Sequence, residues 1–321
     1  MKAIRIHEFG GAEVMKLEDI ARPVPAQDEL LVKVFACGVN AVDWVIRNGG
    51  NDFLRPLLQL PLTLGWDTAG RVEETGSMVA GFKKGDLVFG VPNFPGDGSY
   101  AEYCIGRETQ FAFMPKNLSF QEAAGVPLAG LTAWTALFVF GKLQLGQRIL
   151  INGASGGVGS FALQFAKAKG AYVIAVASTG NLEYLKQLGA DEVIDYTSQK
   201  FEDLVENLDL VFDAAPHRDN NERLRSVKVL KEGGILVSVN IDFPFSDEVV
   251  DALKHKNAKG EQVAVQIKGE YLHEIATWID QGKVKVLVSK VYPLEEVAAA
   301  HRESETWHVR GKLVLEIAKE N

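Results

Sequence analysis

Cysteine is scarce in this sequence, since only Cys37 and Cys104 occur among 321 residues. Two thiols cannot build a disulfide framework, and they cannot supply the four thiolates of a structural zinc site. We expect both to be buried and to behave as small apolar residues. The cysteine content is therefore typical of a protein from a reducing compartment.

A long apolar run and a surplus of positive charge are also missing. The longest apolar run without a charged residue, 126–141, is shorter than the roughly 20 residues of a membrane helix, and glycine and threonine interrupt it. The N-terminus, MKAIRIHEFGG, has no signal-peptide core. With 34 Lys and Arg against 42 Asp and Glu, the net charge is −8, which argues against nucleic acid. We predict a cytoplasmic protein with neither a membrane nor a nucleic-acid partner.

The chain divides into two parts by its hydrophobic pattern. Up to about residue 120, short β-runs such as ELLVKVFACGVN alternate with turn residues, which predicts a mostly β region. Ser119 and Glu122 then form a capping-box pattern that opens a helix, broken near Pro127 and resumed over residues 132–138. From Arg148 onward, apolar strands alternate with amphipathic helices. This alternation predicts an open, doubly wound parallel sheet.

The C-terminal part breaks the alternation. QVAVQ at 262–266 predicts a last strand of the parallel sheet, and the later helix, β-run and closing KLVLEIA differ from another strand-helix repeat. We therefore predict an α/β protein with a dinucleotide-binding domain over 123–266. A mostly β domain over 1–122 would be completed by 267–321.

The sharpest motif lies between a predicted strand, ILINGA, and a predicted helix. Small residues and glycines at these spacings allow a tight turn, a close approach of a pyrophosphate and close packing of the helix on the strand. The motif thus predicts a dinucleotide-binding turn, made of Ala154, Ser155, Gly156, Gly157, Val158 and Gly159.

The end of the next strand bears on which dinucleotide is bound. Sites that prefer NAD usually place a carboxylate about 20 residues after the last glycine, where it holds the ribose 2′-hydroxyl. Here the strand AYVIAVAS ends at Ser178, and Thr179 and Asn181 follow, with no carboxylate at that point. These side chains could bind a 2′-phosphate, although Asn181 could equally cap the next helix. We therefore predict NADP(H) as the cofactor.

With these motifs the chain resembles the medium-chain dehydrogenase/reductase superfamily, and within it the zinc-independent quinone oxidoreductase and enone reductase branch. The resemblance extends over nearly the whole length, through GVNAVDW, LGWDTAGRV, GDLVFG, LAGLTAWTAL, NGASGGVG, LGADEVIDY, VFDAA, PLEEVAAAH and GKLVLEIA. It implies a discontinuous GroES-like catalytic domain and a Rossmann domain, with the active site in the cleft between them. It also implies a homodimer in many members, for which VAVQ would be an edge strand.

The zinc-dependent members of the superfamily hold catalytic zinc through a Cys, a His and a further Cys. At the first two positions this chain has Asn40 and Trp66, and residues 128–134 contain no Cys. Because an amide and an indole do not make a tetrahedral zinc site, we predict no metal.

The resemblance assigns roles to particular residues. Asn40 would border the nicotinamide and the substrate, Thr132 would hydrogen-bond near the nicotinamide, and Tyr196 would lie near the adenosine. The pyrophosphate would be held by Gly156, Gly157 and Val158, and the ribose and nicotinamide would be flanked by Ala214, Val239 and Asn240.

Asp43 is the carboxylate nearest to the proposed cleft in sequence. It is a candidate proton relay, but hydrogen bonds to its own loop would explain it equally well. Related reductases often carry a Lys or Tyr shortly after this position, where this chain has Val45 and Ile46. No side chain therefore stands out as the general acid.

The leading hypothesis is an NADPH-dependent, metal-free reductase of quinones or α,β-unsaturated carbonyls. Hydride addition to such an electrophile needs mainly orientation and an oxyanion donor. Two alternatives stay open at this point: a nucleotide-binding regulatory protein with weak turnover, and an alcohol dehydrogenase with an unrecognised zinc site.

Overall fold

The computed structural model describes residues 1–216 and 219–319. Its β-strands are β1 (Lys2–Ile6), β2 (Lys16–Asp19), β3 (Glu29–Val39), β4 (Leu62–Thr63), β5 (Thr68–Thr75), β6 (Leu87–Gly90), β7 (Tyr103–Arg107), β8 (Phe111–Phe113), β9 (Arg148–Asn152), β10 (Tyr172–Ala177), β11 (Glu192–Asp195), β12 (Leu208–Asp213), β13 (Leu230–Ser238), β14 (Lys259–Gln262), β15 (Val288–Pro293) and β16 (Lys312–Glu316). Its α-helices are α1 (Ala41–Arg47), α2 (Phe120–Ala124), α3 (Pro127–Trp134), α4 (Gly157–Ala168), α5 (Leu182–Gln187), α6 (Asn220–Val229), α7 (Asp247–His255), α8 (Gly269–Asp280) and α9 (Val297–Glu305). A π-helical segment, Thr135–Phe140, follows α3.

The chain forms two compact units. The first comprises Met1–Leu131, Ile267–Gly282 and Val286–Asn321, and the second comprises Thr132–Gln266 and Lys283–Lys285. From the sequence we expect the domain boundaries to lie after residues 122 and 266. The division into domains at those positions stays a prediction.

The first unit is built on β-structure. A seven-stranded sheet has the order β15-β16-β3-β5-β6-β8, with β7 paired to β3, and a three-stranded sheet has the order β2-β1-β4. The long strand β3 pairs antiparallel with β5, β7 and β16. Most of its side chains are buried, so β3 fixes the position of Asn40, which follows it and is the N-cap residue of α1.

The second unit contains the predicted doubly wound sheet, which is confirmed. All six strands are parallel and follow the order β11-β10-β9-β12-β13-β14. Apolar residues of β9, β10, β12 and β13 pack with α6 and α7 in one core cluster. Because the strands are parallel, their carboxyl ends meet at one edge, where open α/β sheets bind ligands.

Some predictions of local structure are confirmed and others are wrong. The capping box is confirmed, since Ser119 Oγ accepts from the Glu122 N–H at 3.2 Å and α2 follows. The break near Pro127 is confirmed, since α2 ends at Ala124 and α3 begins at Pro127, a position that tolerates proline's missing N–H. The predicted resumption at residue 132 is wrong, because α3 already spans Pro127–Trp134. The last strand is β14, not residues 262–266, since its pairing with β13 ends at Ser238 and Gln262.

Two further expectations concern apolar segments. Cys37 and Cys104 are both buried and free, which confirms their assignment as buried residues. Within the described part of the chain, no helix is long and apolar enough to cross a bilayer.

Candidate active site

The predicted phosphate-binding turn lies between β9 and α4. Gly156 is the N-cap residue of α4, has extended backbone and offers no side chain to the helix. Ala154 is buried, whereas the next four residues, Ser155, Gly156, Gly157 and Val158, are half-buried. The first N–H groups of a helix have no partner inside the helix, and the helix dipole favours an anion there. The turn therefore has the geometry of an anion site.

Two glycines of this turn differ in the space that surrounds them. A Cβ on Gly159 would lie 2.1 Å from the Gly153 carbonyl oxygen and 2.8 Å from Ala154 Cα, so helix packing on the strand requires glycine. A Cβ on Gly156 would meet only that same oxygen, at 3.6 Å. Packing thus leaves room at Gly156, which fits the approach of a diphosphate.

Further predicted residues line the same edge of the sheet. Each follows the end of a parallel strand: Ser178 follows β10, Tyr196 follows β11, Ala214 follows β12, and Val239 and Asn240 follow β13. Backbone hydrogen bonds hold two of these residues against neighbouring strands. The Ala214 N–H donates to Asn152 O at 3.2 Å, and the Val239 N–H donates to Asp213 O at 3.0 Å. Tyr196 is 52% exposed. The structure therefore places all of these residues along one rim.

A buried ion pair that the sequence analysis missed supports this rim. Arg223 Nε donates to Asp213 Oδ2 at 3.2 Å, and Ser238 Oγ donates to the same oxygen at 2.8 Å. The Ser238 hydroxyl also accepts from the Asn240 N–H at 3.3 Å, while the Asn240 amide donates to Ala215 O at 2.8 Å. The network fixes the loops after β12 and β13, and the spacing of its members along the chain carries no signal for it.

The end of β10 is less free of negative charge than the sequence suggests. Asp195 ends the neighbouring strand β11 and accepts from Thr179 Oγ1 at 2.6 Å and from Thr197 Oγ1 at 2.7 Å. These hydrogen bonds, with that of Thr179 the strongest, lower the pKa of Asp195. Asn181 donates its amide to Ser178 Oγ at 3.1 Å. The carboxylate is thus close to Thr179 and is held by threonine hydroxyls.

The first unit holds Asn40 in a cluster of buried charges. The Asn40 Nδ2 group donates to Asp67 Oδ2 at 2.7 Å, and the Lys312 ammonium donates to Asn40 Oδ1. Lys312 also donates to Asp67 Oδ2 at 3.2 Å, and the Leu128 N–H donates to Asp67 Oδ1 at 2.6 Å. Lys312 and Asp67 are buried, whereas Asn40 is half-buried. The motifs LGWDTAGRV and GKLVLEIA contain Asp67 and Lys312, but only the fold brings them to Asn40.

A second chain of contacts starts at Asp43. Its Oδ2 accepts from the Asn40 N–H and from the Tyr100 hydroxyl, both at 2.8 Å, while its buried Oδ1 has no protein partner. Burial raises the pKa of Asp43 to about 7. Tyr100 Oη lies 3.2 Å from His301 Nε2, and His301 Nδ1 lies 3.0 Å from Arg47 Nη1.

The chain that continues from Asp43 has one direction. Because a guanidinium can only donate, His301 Nδ1 accepts, so its Nε2 carries the proton and donates to Tyr100. Burial, and then the charge of Arg47, lowers the pKa of His301 to about 3. His301 is therefore neutral, and every hydrogen bond of the chain points toward Asp43. Both of the interpretations offered for Asp43 are compatible with this arrangement.

Thr132 lies in α3, is half-buried, and belongs to the second unit. Asn40 and Asp43 belong to the first unit. That Asn40 borders the nicotinamide and the substrate, and that Thr132 hydrogen-bonds near the nicotinamide, stay predictions.

The residues at the zinc positions do not fit zinc. Trp66 is buried and donates its indole N–H to Gly96 O at 3.0 Å, and an indole N–H has no lone pair for a metal. Asn40 already uses both ends of its amide with Asp67 and Lys312. Across residues 1–216 and 219–319, no group of three or more His, Cys, Asp and Glu side chains is placed to hold a metal ion.

Comparison with known proteins identifies the family. Residues 26–116 match the alcohol dehydrogenase GroES-like domain model, and residues 188–315 match the zinc-binding dehydrogenase model. The pig quinone oxidoreductase (Sus scrofa) is 35% identical over 98% of this chain and 97% of its own length. The chain belongs to the quinone oxidoreductase and enone reductase branch of the medium-chain dehydrogenase/reductase family.

Other relatives are named for different activities. An Arabidopsis thaliana protein named NADPH-dependent alkenal/one oxidoreductase, chloroplastic, is 38% identical over 98% of this chain and 79% of its own length. The structure of the quinone oxidoreductase from Coxiella burnetii has a TM-score of 0.90 at 35% identity and covers 99% of both chains. A structure titled NAD-dependent alcohol dehydrogenase has a TM-score of 0.90 at 30% identity, covering 99% of this chain and 100% of that one. The family model named for zinc matches even though this chain lacks the zinc ligands.

Proposed function

We propose that this oxidoreductase uses NADPH to reduce quinones or α,β-unsaturated carbonyls. The observation that carries the proposal is the uncapped start of α4 at Gly156, where packing leaves space that glycine alone keeps open. Relatives named quinone oxidoreductase and NADPH-dependent alkenal/one oxidoreductase support the substrate class and the cofactor.

The residues of the second unit fit this cofactor. The backbone N–H groups of Gly156, Gly157 and Val158 would bind the diphosphate, and Ser178 with Asn181 would bind the 2′-phosphate. Tyr196 would lie near the adenosine, and Ala214, Val239 and Asn240 would flank the ribose and nicotinamide. When bound, NADPH supplies a hydride, a hydrogen nucleus with two electrons, to the β-carbon of the acceptor.

In this proposal Asn40 borders the nicotinamide and the substrate, and Thr132 hydrogen-bonds near the nicotinamide. Reduction of an enone leaves negative charge on the carbonyl oxygen, so a hydrogen-bond donor near that oxygen accelerates the reaction. The proton that completes the product would come from solvent or from the nicotinamide ribose 2′-hydroxyl. Full activity of Asp43→Asn is the result expected from this proton source, whereas a loss of about a hundredfold would make Asp43 the relay.

The test compares oxidation of NADPH and NADH side by side with 1,4-benzoquinone, 9,10-phenanthrenequinone and a short 2-alkenal. We expect turnover with NADPH and at least one acceptor, and a lower kcat/KM with NADH. Equal use of NADH would contradict the assignment of Ser178 to the 2′-phosphate. Stoichiometric binding of NADPH without its oxidation by any acceptor would instead indicate a regulatory nucleotide-binding protein.

Alcohol oxidation is a second candidate, because a structure named as an NAD-dependent alcohol dehydrogenase covers 99% of this chain. Without the zinc ligands, an alcohol would have to be activated in some other way. Alcohol-dependent reduction of NAD⁺, together with stoichiometric zinc in the purified protein, would favour this candidate over the reductase.

A further inference from the structure

Lys312 is a buried cation whose contacts are unusually complete. It begins β16, is 4% exposed, and donates to three oxygens: Val39 O at 3.1 Å, Asp67 Oδ2 at 3.2 Å, and Asn40 Oδ1. An ammonium has three N–H groups, so three acceptors satisfy it. Burying a charge costs several kcal/mol unless partners of this kind compensate for it. The buried charge of Lys312 therefore requires a structural or functional explanation.

The two neighbours of the Asn40 amide determine its orientation. Lysine can only donate a hydrogen bond, and an ionised carboxylate can only accept one. Asn40 Oδ1 must therefore face Lys312, and Asn40 Nδ2 must face Asp67. The O and N positions of this amide follow from the chemistry of its partners, so removing the charge of Lys312 would remove one of the two determinants of this orientation and would leave Asn40 Oδ1 without its cation.

One N–H of Asn40 Nδ2 remains for a ligand. Among residues 1–216 and 219–319, Asp67 Oδ2 is the one acceptor recorded for this group, which carries two hydrogens. Asn40 is half-buried while Lys312 and Asp67 are buried, so the amide is the accessible part of the cluster. A cation on Oδ1 also draws electron density from the amide and strengthens its N–H as a donor.

We propose that Lys312 is a positioning residue: it holds and polarises the Asn40 amide so that the second Nδ2–H meets the carbonyl oxygen of the acceptor. This inference rests on the proposed function. The hydride adds to the β-carbon, the C=C electron pair moves toward the carbonyl, and the oxygen becomes negative until a solvent proton completes the product. The second Nδ2–H donates to that oxygen while its charge develops.

The choice of acceptor gives a readout that a purely structural role would not produce. A quinone is the stronger oxidant, so its transition state is reached earlier and carries less charge on oxygen than that of an alkenal. A donor to the oxyanion therefore matters more for the alkenal. Loss of packing alone would slow both acceptors by the same factor.

The experiment measures kcat and KM for a 2-alkenal and for 9,10-phenanthrenequinone with NADPH in the parent protein, Lys312→Met and Lys312→Arg. For Lys312→Met we expect kcat to fall about a hundredfold with the alkenal and about tenfold or less with the quinone. NADPH affinity, from fluorescence titration, should stay within about twofold, since Lys312 is not among the proposed NADPH contacts. Lys312→Arg keeps the charge and should retain more of the alkenal rate.

Lys167→Met is the matched control, because Lys167 also pairs with an aspartate, Asp191, at 2.7 Å, but in the second unit. It should leave the alkenal-to-quinone ratio unchanged. The double variant Asp67→Asn/Lys312→Met removes both charges, so the fold does not depend on an unpaired carboxylate. We expect it to recover the thermal stability of the parent protein while the alkenal rate stays low.

Equal losses with both acceptors, or recovery of the alkenal rate in the double variant, would overturn the role of Lys312. If the parent protein oxidises NADPH with neither acceptor, the proposed function fails instead. If the parent is active and Lys312→Met keeps its alkenal rate, only this inference fails.

Discussion

The two candidate sites are built from different materials. In the second unit, the turn at Gly156 is a backbone feature: a strand ends, a helix begins, and glycines leave space. In the first unit, the surroundings of Asn40 consist of side chains from distant segments, with Asp67, Lys312 and Asp43 buried together. A backbone site is specified by adjacent residues, whereas a side-chain site is specified by strand pairing.

The difference extends to how each site responds to change. A turn of glycines tolerates no added atoms where packing is tight, but it contains no titratable group. The Asn40 cluster and the chain from Asp43 to Arg47 contain several buried ionisable groups, so the cost of burying charge dominates there. We expect the surroundings of Asn40 to be more sensitive to charge and to pH than the turn at Gly156.

The largest effect should come from removing a buried cation of the first unit. Arg47 is 1% exposed and contacts Glu305, His301 and Gly10 O, so Arg47→Met leaves these groups without a donor. Glu305 is 33% exposed, so water partly compensates its charge, and the loss comes mainly from His301 Nδ1 and Gly10 O. Because a buried polar group without a partner costs about 1 to 3 kcal/mol, we expect a loss of about 3 kcal/mol in the free energy of unfolding measured with urea.

Arg22→Met is the matched control for this prediction. Arg22 pairs with Glu74 at 2.6 Å, but both side chains are substantially exposed, and exposed pairs contribute at most about 1 kcal/mol. Similar losses of stability for Arg47→Met and Arg22→Met would contradict the expectation that a buried cation contributes more to stability than an exposed one.

The next prediction uses pH. Because burial raises the pKa of Asp43 from 3.8 to about 7, the folded protein keeps a proton that the unfolded chain loses between these values. The stability contribution of this group therefore falls as pH rises from about 4 to about 7, and changes little above that. At about 1.4 kcal/mol per pKa unit, the whole change is at most roughly 4 kcal/mol.

Asp43→Asn has no such titration. Relative to the parent protein, it should gain free energy of unfolding between pH 4 and pH 7 in urea titrations at several pH values. Parallel stability curves for the two proteins would show that Asp43 is ionised throughout. The expected difference in pH sensitivity between the surroundings of Asn40 and the turn at Gly156 would then be contradicted.

A pair of glycine substitutions sharpens the description of the second unit. Gly159→Ala forces a Cβ to within 2.1 Å of Gly153 O and should cost about 1 to 3 kcal/mol of stability, as other overpacked sites do. Gly156→Ala meets its nearest atom at 3.6 Å and should leave stability unchanged while weakening NADPH binding. Calorimetry and NADPH titration separate the two, and the opposite pattern would contradict the diphosphate assignment.

The smallest expected effect concerns the choice of cofactor. Ser178→Asp adds a carboxylate at the end of β10, where it would repel a 2′-phosphate and accept from a 2′-hydroxyl. We expect kcat/KM for NADPH to fall about tenfold, or roughly 1.4 kcal/mol, without a matching fall for NADH. Ser178→Ala is the control, since it removes the hydroxyl without adding charge. An unchanged preference in Ser178→Asp would place the 2′-phosphate elsewhere.

Much of the second unit was predictable because its signals are local. The period of the apolar residues indicated parallel strands and helices, and the glycine spacing indicated the turn. Errors arose where pairing decides the outcome: β14 ends at Gln262 because β13 ends at Ser238, and Asp195 approaches Thr179 only across two strands.

The sequence by itself determined the α/β class, the glycine turn between β9 and α4 and the absence of zinc ligands at Asn40 and Trp66, since each depends on residue type and short spacing. Tertiary structure alone decided that Lys312 would reach Asn40, from 272 positions away, and that His301 would stand between Tyr100 and Arg47. The physical reason is that buried charges require partners from every direction, and only strand pairing across the whole first unit delivers them.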